Sequence, residues 1–167
     1  MRSIFLQLIL LCCFAAQGQA DSTQPPYLRY PTVPPFKILL ADSLNFYSKD
    51  QLAQGKPLLL MVFNPDCSHC QHETEQLREK KDAFKDFQIV MITLQPLWEM
   101  NAFVEKYKVA EIPNVVTGKD VYYFSPSFFR YRNLPFHALY NARGELITTF
   151  EGSVGIEKIL DRLVKGK

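Results

Sequence analysis

Two apolar runs, Leu58-Leu59-Leu60-Met61-Val62-Phe63 and Gln88 to Leu94, flank a single amphipathic helical pattern, and this constrains the fold more than any other feature of the 167-residue chain. A strand that is apolar on both faces must be covered on both faces, and one helix between two such strands is the crossover of a parallel pair. The runs are therefore predicted to be adjacent buried strands of a β-α-β unit. Cys67-Ser68-His69-Cys70 stands where the first strand hands over to the helix. Two cysteines at a helix N-terminus have the geometry of a thiol-disulfide centre. The oriented peptide dipoles and free N–H groups there favour a thiolate on the first, and the second lies one turn further in.

Helix phase separates the roles of the two. Cys70, Leu77 and Phe84 recur every seven residues, with Ala83 and Phe87 alongside, and this row is expected to lie against the sheet. At about 100° per residue, Cys67 falls about 60° to one side of Cys70 and Glu73 about 60° to the other, while His72 points nearly opposite, to water. Cys67 is then the accessible nucleophile and Cys70 the resolving thiol. Glu73 is close enough to move the Cys70 proton.

The chain has four cysteines. Cys12 and Cys13 fall in a segment that reads as a secretory leader over residues 1–20: basic Arg2, apolar Ile4 to Ala16, and small residues at Gly18-Gln19-Ala20. The apolar stretch is short for a bilayer span of about 20 residues, so retention as an anchor is the alternative. Leu10 and Leu11 before the two cysteines lack the small side chain of a lipidation site. Only Cys67 and Cys70 remain after the leader, so no disulfide framework explains them and a functional pair is expected in an exported, periplasmic protein. The formal charge of +2 is scattered, which excludes a nucleic-acid or anionic-membrane footprint.

Residues 21–36 carry Pro25, Pro26, Pro31, Pro34 and Pro35 and read as an extended lead-in to a domain over 37–167. Lys37 to Ala41 is predicted as an edge strand and Ser48 to Gln54 as a helical turn. Met100, Phe103, Val104 and Tyr107 form the core stripe of a second helix. The stretch from Val109 to Arg132 is read as an insertion. Its aromatics, Tyr122, Tyr123, Phe124, Phe128, Phe129 and Tyr131, are expected to cover the sheet, the other reading being a docking surface beside the dithiol. Phe136 to Tyr140 and Glu145 to Phe150 are predicted as a hairpin around Asn141-Ala142-Arg143-Gly144. Ser153 is the expected cap of a last helix with Ile156, Ile159, Leu160 and Leu163 inward and Gly166 at its end.

With these elements in order, the chain resembles the thioredoxin fold, and more narrowly the extracytoplasmic TlpA/ResA-like thiol-disulfide oxidoreductases. The resemblance covers most of residues 37–165. It rests on Phe63-Asn64-Pro65-Asp66-Cys67-Ser68-His69-Cys70, on Glu73, and on Leu134-Pro135 opening the third strand of that fold. It implies an α/β thioredoxin fold, a central mixed sheet flanked by helices, with an N-terminal extension and an insertion before the strand that follows Pro135. It also implies a cis Pro135 facing the disulfide, with Leu134 offering its backbone to a bound substrate cysteine. Cysteine-containing client proteins and an upstream thiol-disulfide partner are the expected partners. A membrane enters only if the leader is retained, and the centre requires no metal and no cofactor beyond the Cys67–Cys70 disulfide.

Several positions depart from the family pattern. Position 61, where thioredoxins carry a buried proton-moving acid, is Met61, which passes that role to Glu73 or to water. Asn64, Pro65 and Asp66 precede Cys67 where a Trp is usual, and Leu134 replaces the usual Thr or Val. Asp66 beside the nucleophile disfavours a thiolate, yet its carboxylate is able to cap the helix. A partly protonated His69 would favour the Cys67 thiolate and make the disulfide more oxidising; its plain reading is an exposed helix-start residue.

Three rival functions are distinguishable. A peroxiredoxin needs Thr three residues and Pro seven residues before its cysteine, where this chain has Asn64 and Leu60. A copper-binding carrier would join His137 to Cys67 and Cys70, since two thiolates and an imidazole suit Cu(I) or Zn; the plain reading of His137 is a satisfied core residue. A non-catalytic docking module would keep the fold and an inert disulfide.

Overall fold

The computed structural model describes residues 24–166; the expected leader over 1–20 lies outside them. In chain order the elements are α1 (Pro26–Arg29), β1 (Lys37–Leu39), β2 (Phe46–Ser48), β3 (Leu58–Val62), α2 (Ser68–Glu79), β4 (Gln88–Thr93), α3 (Leu97–Lys106), β5 (Val115–Lys119), α4 (Phe124–Phe129), β6 (Phe136–Tyr140), β7 (Leu146–Glu151) and α5 (Ile156–Lys165). Seven strands form one mixed sheet in the order β2-β1-β5-β4-β3-β6-β7. The predicted parallel pair is present, with Leu58 opposite Gln88 and Val62 opposite Ile92. β6 runs antiparallel to the other side of β3, so Met61 faces His137 across the ladder. This is the thioredoxin-like α/β fold that the sequence led us to expect.

Alternation along β3 and β6 sorts the core into two faces. Leu59, Met61, Phe63 and Leu139 pack with Cys70 and Leu77 of α2, Met100 and Phe103 of α3, and Ile159 and Leu163 of α5. Leu58, Leu60, Val62, Ala138 and Tyr140 face the other way, toward Val33, Phe36 and Phe129. The insertion aromatics cover that second face: Phe129 lies 4.9 Å from Phe136 between ring centroids, and Phe124, Phe128 and Tyr131 pack around it. Tyr122 and Tyr123 remain exposed.

The structure corrects several local expectations. The Lys37 strand is not an edge, because β2 adds outside it in antiparallel register. β5 was not foreseen; it pairs with both β4 and β1, and its pattern hides Gly118. A Cβ at Gly118 would stand 2.8 Å from Ile38 Cδ1, so this glycine answers close approach, not backbone conformation. The proline-rich lead-in does not simply run alongside. Thr32 bridges Glu145 and the Tyr27 ring sits 5.9 Å from Phe129. Ala83 is exposed because α2 ends at Glu79 and a tight turn over Lys81–Phe84 breaks its phase, though Phe84 and Phe87 stay buried. The cap of α5 is Gly155, at φ +81°, and not Ser153. Among the described residues no helix is long and apolar enough to cross a membrane.

Candidate active site

β3 ends in a turn that prepares α2. The backbone N–H of Asp66 donates to Asn64 Oδ1 (2.8 Å), that of Cys67 to Asn64 O (3.0 Å), and the Gln71 side-chain amide reaches back to Pro65 O (2.7 Å). Cys67 thereby becomes the N-cap residue, half-buried, at the end from which the first unpaired N–H groups of α2 project. Asp66 is exposed and α2 has no side-chain cap, so the capping role open to Asp66 is not realised. His69 and His72 are both exposed.

Cys67 and Cys70 are free thiols with contrasting surroundings. Cys70 is wholly buried, and burial pushes its thiol well above the ordinary cysteine range; Cys67 and the charge of Glu73 push the same way, against the backbone of Asn64. The Cys67 sulfur lies 3.9 Å from the carbonyl oxygen of Leu134, which precedes the cis bond to Pro135. The start of β6 is thus drawn against the dithiol, and Leu134 packs in the core beside Cys67.

Glu73 is not a surface residue. It is wholly buried on the Cys70 face of α2, and its Oε2 stands 3.3 Å from Nε2 of His137, equally buried on β6. Helix phase predicts Glu73 on the Cys70 side of the helix but does not point to His137 as its neighbour. No local sequence signal marks this partner, because the ladder that sets His137 directly opposite the non-acidic Met61 exists only in the fold. Among the described residues no three His, Cys, Asp or Glu side chains are grouped as a metal site.

A profile of the AhpC/TSA family matches residues 32–155, a span holding the whole of this site. The chain belongs to the AhpC/TSA family. Solved structures similar to it include DsbF of Mycobacterium tuberculosis (21% identity, 81% of this chain and 100% of that one, TM-score 0.68). StoA of Bacillus subtilis is also similar (19% identity, 79% and 98%, TM-score 0.61). So is a peroxiredoxin-like protein of Aquifex aeolicus (12% identity, 81% and 85%, TM-score 0.64). These likenesses are of fold. No curated protein matches in sequence.

In this AhpC/TSA member the two thiols differ in burial, Cys67 half-buried and Cys70 wholly buried. Limiting iodoacetamide at pH 8 is expected to label Cys67 first and to leave Cys70 unmodified, because burial keeps the Cys70 thiol protonated there. Peptide mass spectrometry reads the ratio, and preferential labelling of Cys70 would reverse the roles.

Proposed function

We propose that this protein is an exported thiol-disulfide oxidoreductase that exchanges a Cys67–Cys70 disulfide with cysteines of client proteins. The observation carrying the reading is the pairing of a half-exposed Cys67 at the α2 N-cap with a buried Cys70 one turn behind it. In the reducing direction, the Cys67 thiolate attacks one sulfur of a client disulfide, forming a mixed disulfide and releasing a client thiolate. Cys70 then gives up its proton and attacks the Cys67 sulfur. That closes the Cys67–Cys70 disulfide and releases the second client sulfur, which takes a proton. The client gains two electrons, the dithiol loses two, and oxidation of a client dithiol is the same path reversed.

Glu73 is the proposed acceptor of the Cys70 proton, since a buried thiol has no water at hand and Met61 offers no acid. Leu134 is the proposed docking residue, its carbonyl already lying against the Cys67 sulfur. His69 and Asp66, both exposed beside the pair, are the proposed tuners of its potential. Asn64 and Leu60 fill the positions where a peroxidatic site needs Thr and Pro.

Reduction of insulin by the dithiol tests this directly. The wild type is expected to precipitate insulin, and Glu73→Gln to do so about 10²-fold more slowly, as loss of a general acid–base group does. No reduction by the wild type would leave a docking module. A potential near about −270 mV would set the protein as a reductant, and one near about −120 mV as an oxidant.

A further inference from the structure

We propose that His137 is the proton partner of Glu73, a positioning residue that holds one shared proton beside the Cys70 thiol so that Cys70 ionises without creating net charge in the core. The inference rests on the thiol-disulfide reading above and adds a residue to it.

Three observations carry it. Both side chains are wholly buried and meet at 3.3 Å. Neither carboxylate oxygen of Glu73 and neither ring nitrogen of His137 has a well-aligned hydrogen-bond partner among the described residues, which leaves each as the polar neighbour of the other. Finally, the β3–β6 ladder sets His137 opposite Met61, on the sheet face that packs against α2 and Cys70.

A buried polar side chain without a partner is rare, and a lone buried charge is far less tolerable. Glu73 and His137 escape both penalties by holding one proton between them, as a carboxylate beside an imidazolium or a carboxylic acid beside an imidazole. Either form is neutral overall. During resolution the Cys70 proton passes to the Glu73 carboxylate, Cys70 becomes a thiolate, and the imidazolium of His137 remains to balance it. The Cys70 thiolate then attacks the Cys67 sulfur, the bond between Cys67 and the client breaks, and the departing client thiolate takes up the proton left on Glu73, which returns the pair to one shared proton. The core stays neutral while Cys70 ionises, whereas an isolated glutamate would leave one uncompensated buried negative charge both before and after the transfer.

The titratable groups on this face are Cys67, Cys70, Glu73, His137 and Tyr107 at the end of α3. Glu157, Lys158, Asp161 and Arg162 of α5 and Glu151 of β7 are exposed, as are Glu75 and Glu79 of α2. Burial of the Cys70 thiol makes the need for a nearby acceptor acute.

The test separates the two steps of exchange. Reduced protein mixed with 5,5′-dithiobis(2-nitrobenzoate) releases one thionitrobenzoate as Cys67 is captured and a second as Cys70 closes the disulfide. For His137→Gln the first release is expected to stay within about twofold of wild type. The second slows about tenfold and changes its dependence on pH between 5 and 9. Because His137 acts through Glu73, the double variant with Glu73→Gln is expected to be no slower than Glu73→Gln alone. A second release at the wild-type rate and pH profile in folded His137→Gln would overturn the proposal and leave the oxidoreductase reading intact. No second release from the wild type would overturn that reading and this one with it.

Should His137→Gln fail to fold, the wild type still decides. The ring ¹⁵N shifts of His137 are expected to move between the dithiol and disulfide states, and unchanged shifts would refute the relay.

Discussion

Replacing Cys70 with serine is expected to yield a protein that captures clients at Cys67 and does not release them. The resolving thiol sits one turn behind Cys67 on the same helix, wholly buried and held by the sheet. Its attack is intramolecular. Well-oriented groups of this kind reach effective molarities of about 10⁵ M or more, so removing one should lower turnover by at least about 10³-fold. Mixing Cys70→Ser with an extract and resolving it on a non-reducing gel should show adducts that vanish with dithiothreitol, and mass spectrometry should place the bond at Cys67. Cys67→Ser should form none. Turnover of insulin by Cys70→Ser at the wild-type rate would mean that a group other than Cys70 resolves the intermediate.

Asp120→Ala is expected to destabilise the fold by about 3 to 5 kcal/mol, since orphaned buried donors cost about 1–3 kcal/mol each before water re-enters. Asp120 follows β5 directly and is wholly buried. Its carboxylate accepts from the backbone N–H of Tyr122 (3.2 Å), Phe124 (3.2 Å) and Ser125 (2.8 Å), and from Ser125 Oγ (2.8 Å). Those bonds fix the turn that carries Tyr123 at φ +54° and opens α4. With the carboxylate gone, several donors lose their acceptor together and the aromatic cover over the second face loosens. Urea denaturation measures the loss, with unchanged slope if the unfolded state is unaffected. A loss below about 1 kcal/mol would show that water replaces the carboxylate without penalty.

How much of this was legible before the structure depends on the range of the interaction concerned. β3 and β4 were readable because strands buried on both faces must be apolar throughout, and the β6–β7 hairpin because its turn carries Asn141 and Gly144. The positions of Cys67, Cys70 and Glu73 followed from helix phase, which is local. Gly155 was passed over for Ser153 because hydroxyl capping is the stronger sequence signal, while the chain here needs a φ of +81°. β5 was lost because Thr117 and Gly118 interrupt its pattern, and its reason for being a strand lies in its neighbours β4 and β1. The Glu73–His137 pair was beyond reach for the same reason. Residues far apart in the chain meet only once the ladder registers Met61 against His137. The aromatics of the insertion were legible as cover, but Asp120, which shapes their turn, was not, since a carboxylate in a polar stretch reads as solvated.

Gly118 carries a consequence for how this sequence is able to change. With Ile38 Cδ1 and Cγ1 each 2.8 Å from where its Cβ would stand, the glycine is an empty socket filled by a side chain from the neighbouring strand. The two positions therefore behave as one volume divided between two residues. A methyl group can be added at 118 only if the branched chain at 38 shrinks, and a smaller residue at 38 leaves a void unless 118 grows. Drift at this seam proceeds by exchange across the ladder, so the boundary between the β1–β2 hairpin and the parallel strands is set by a pair of residues that must be altered together.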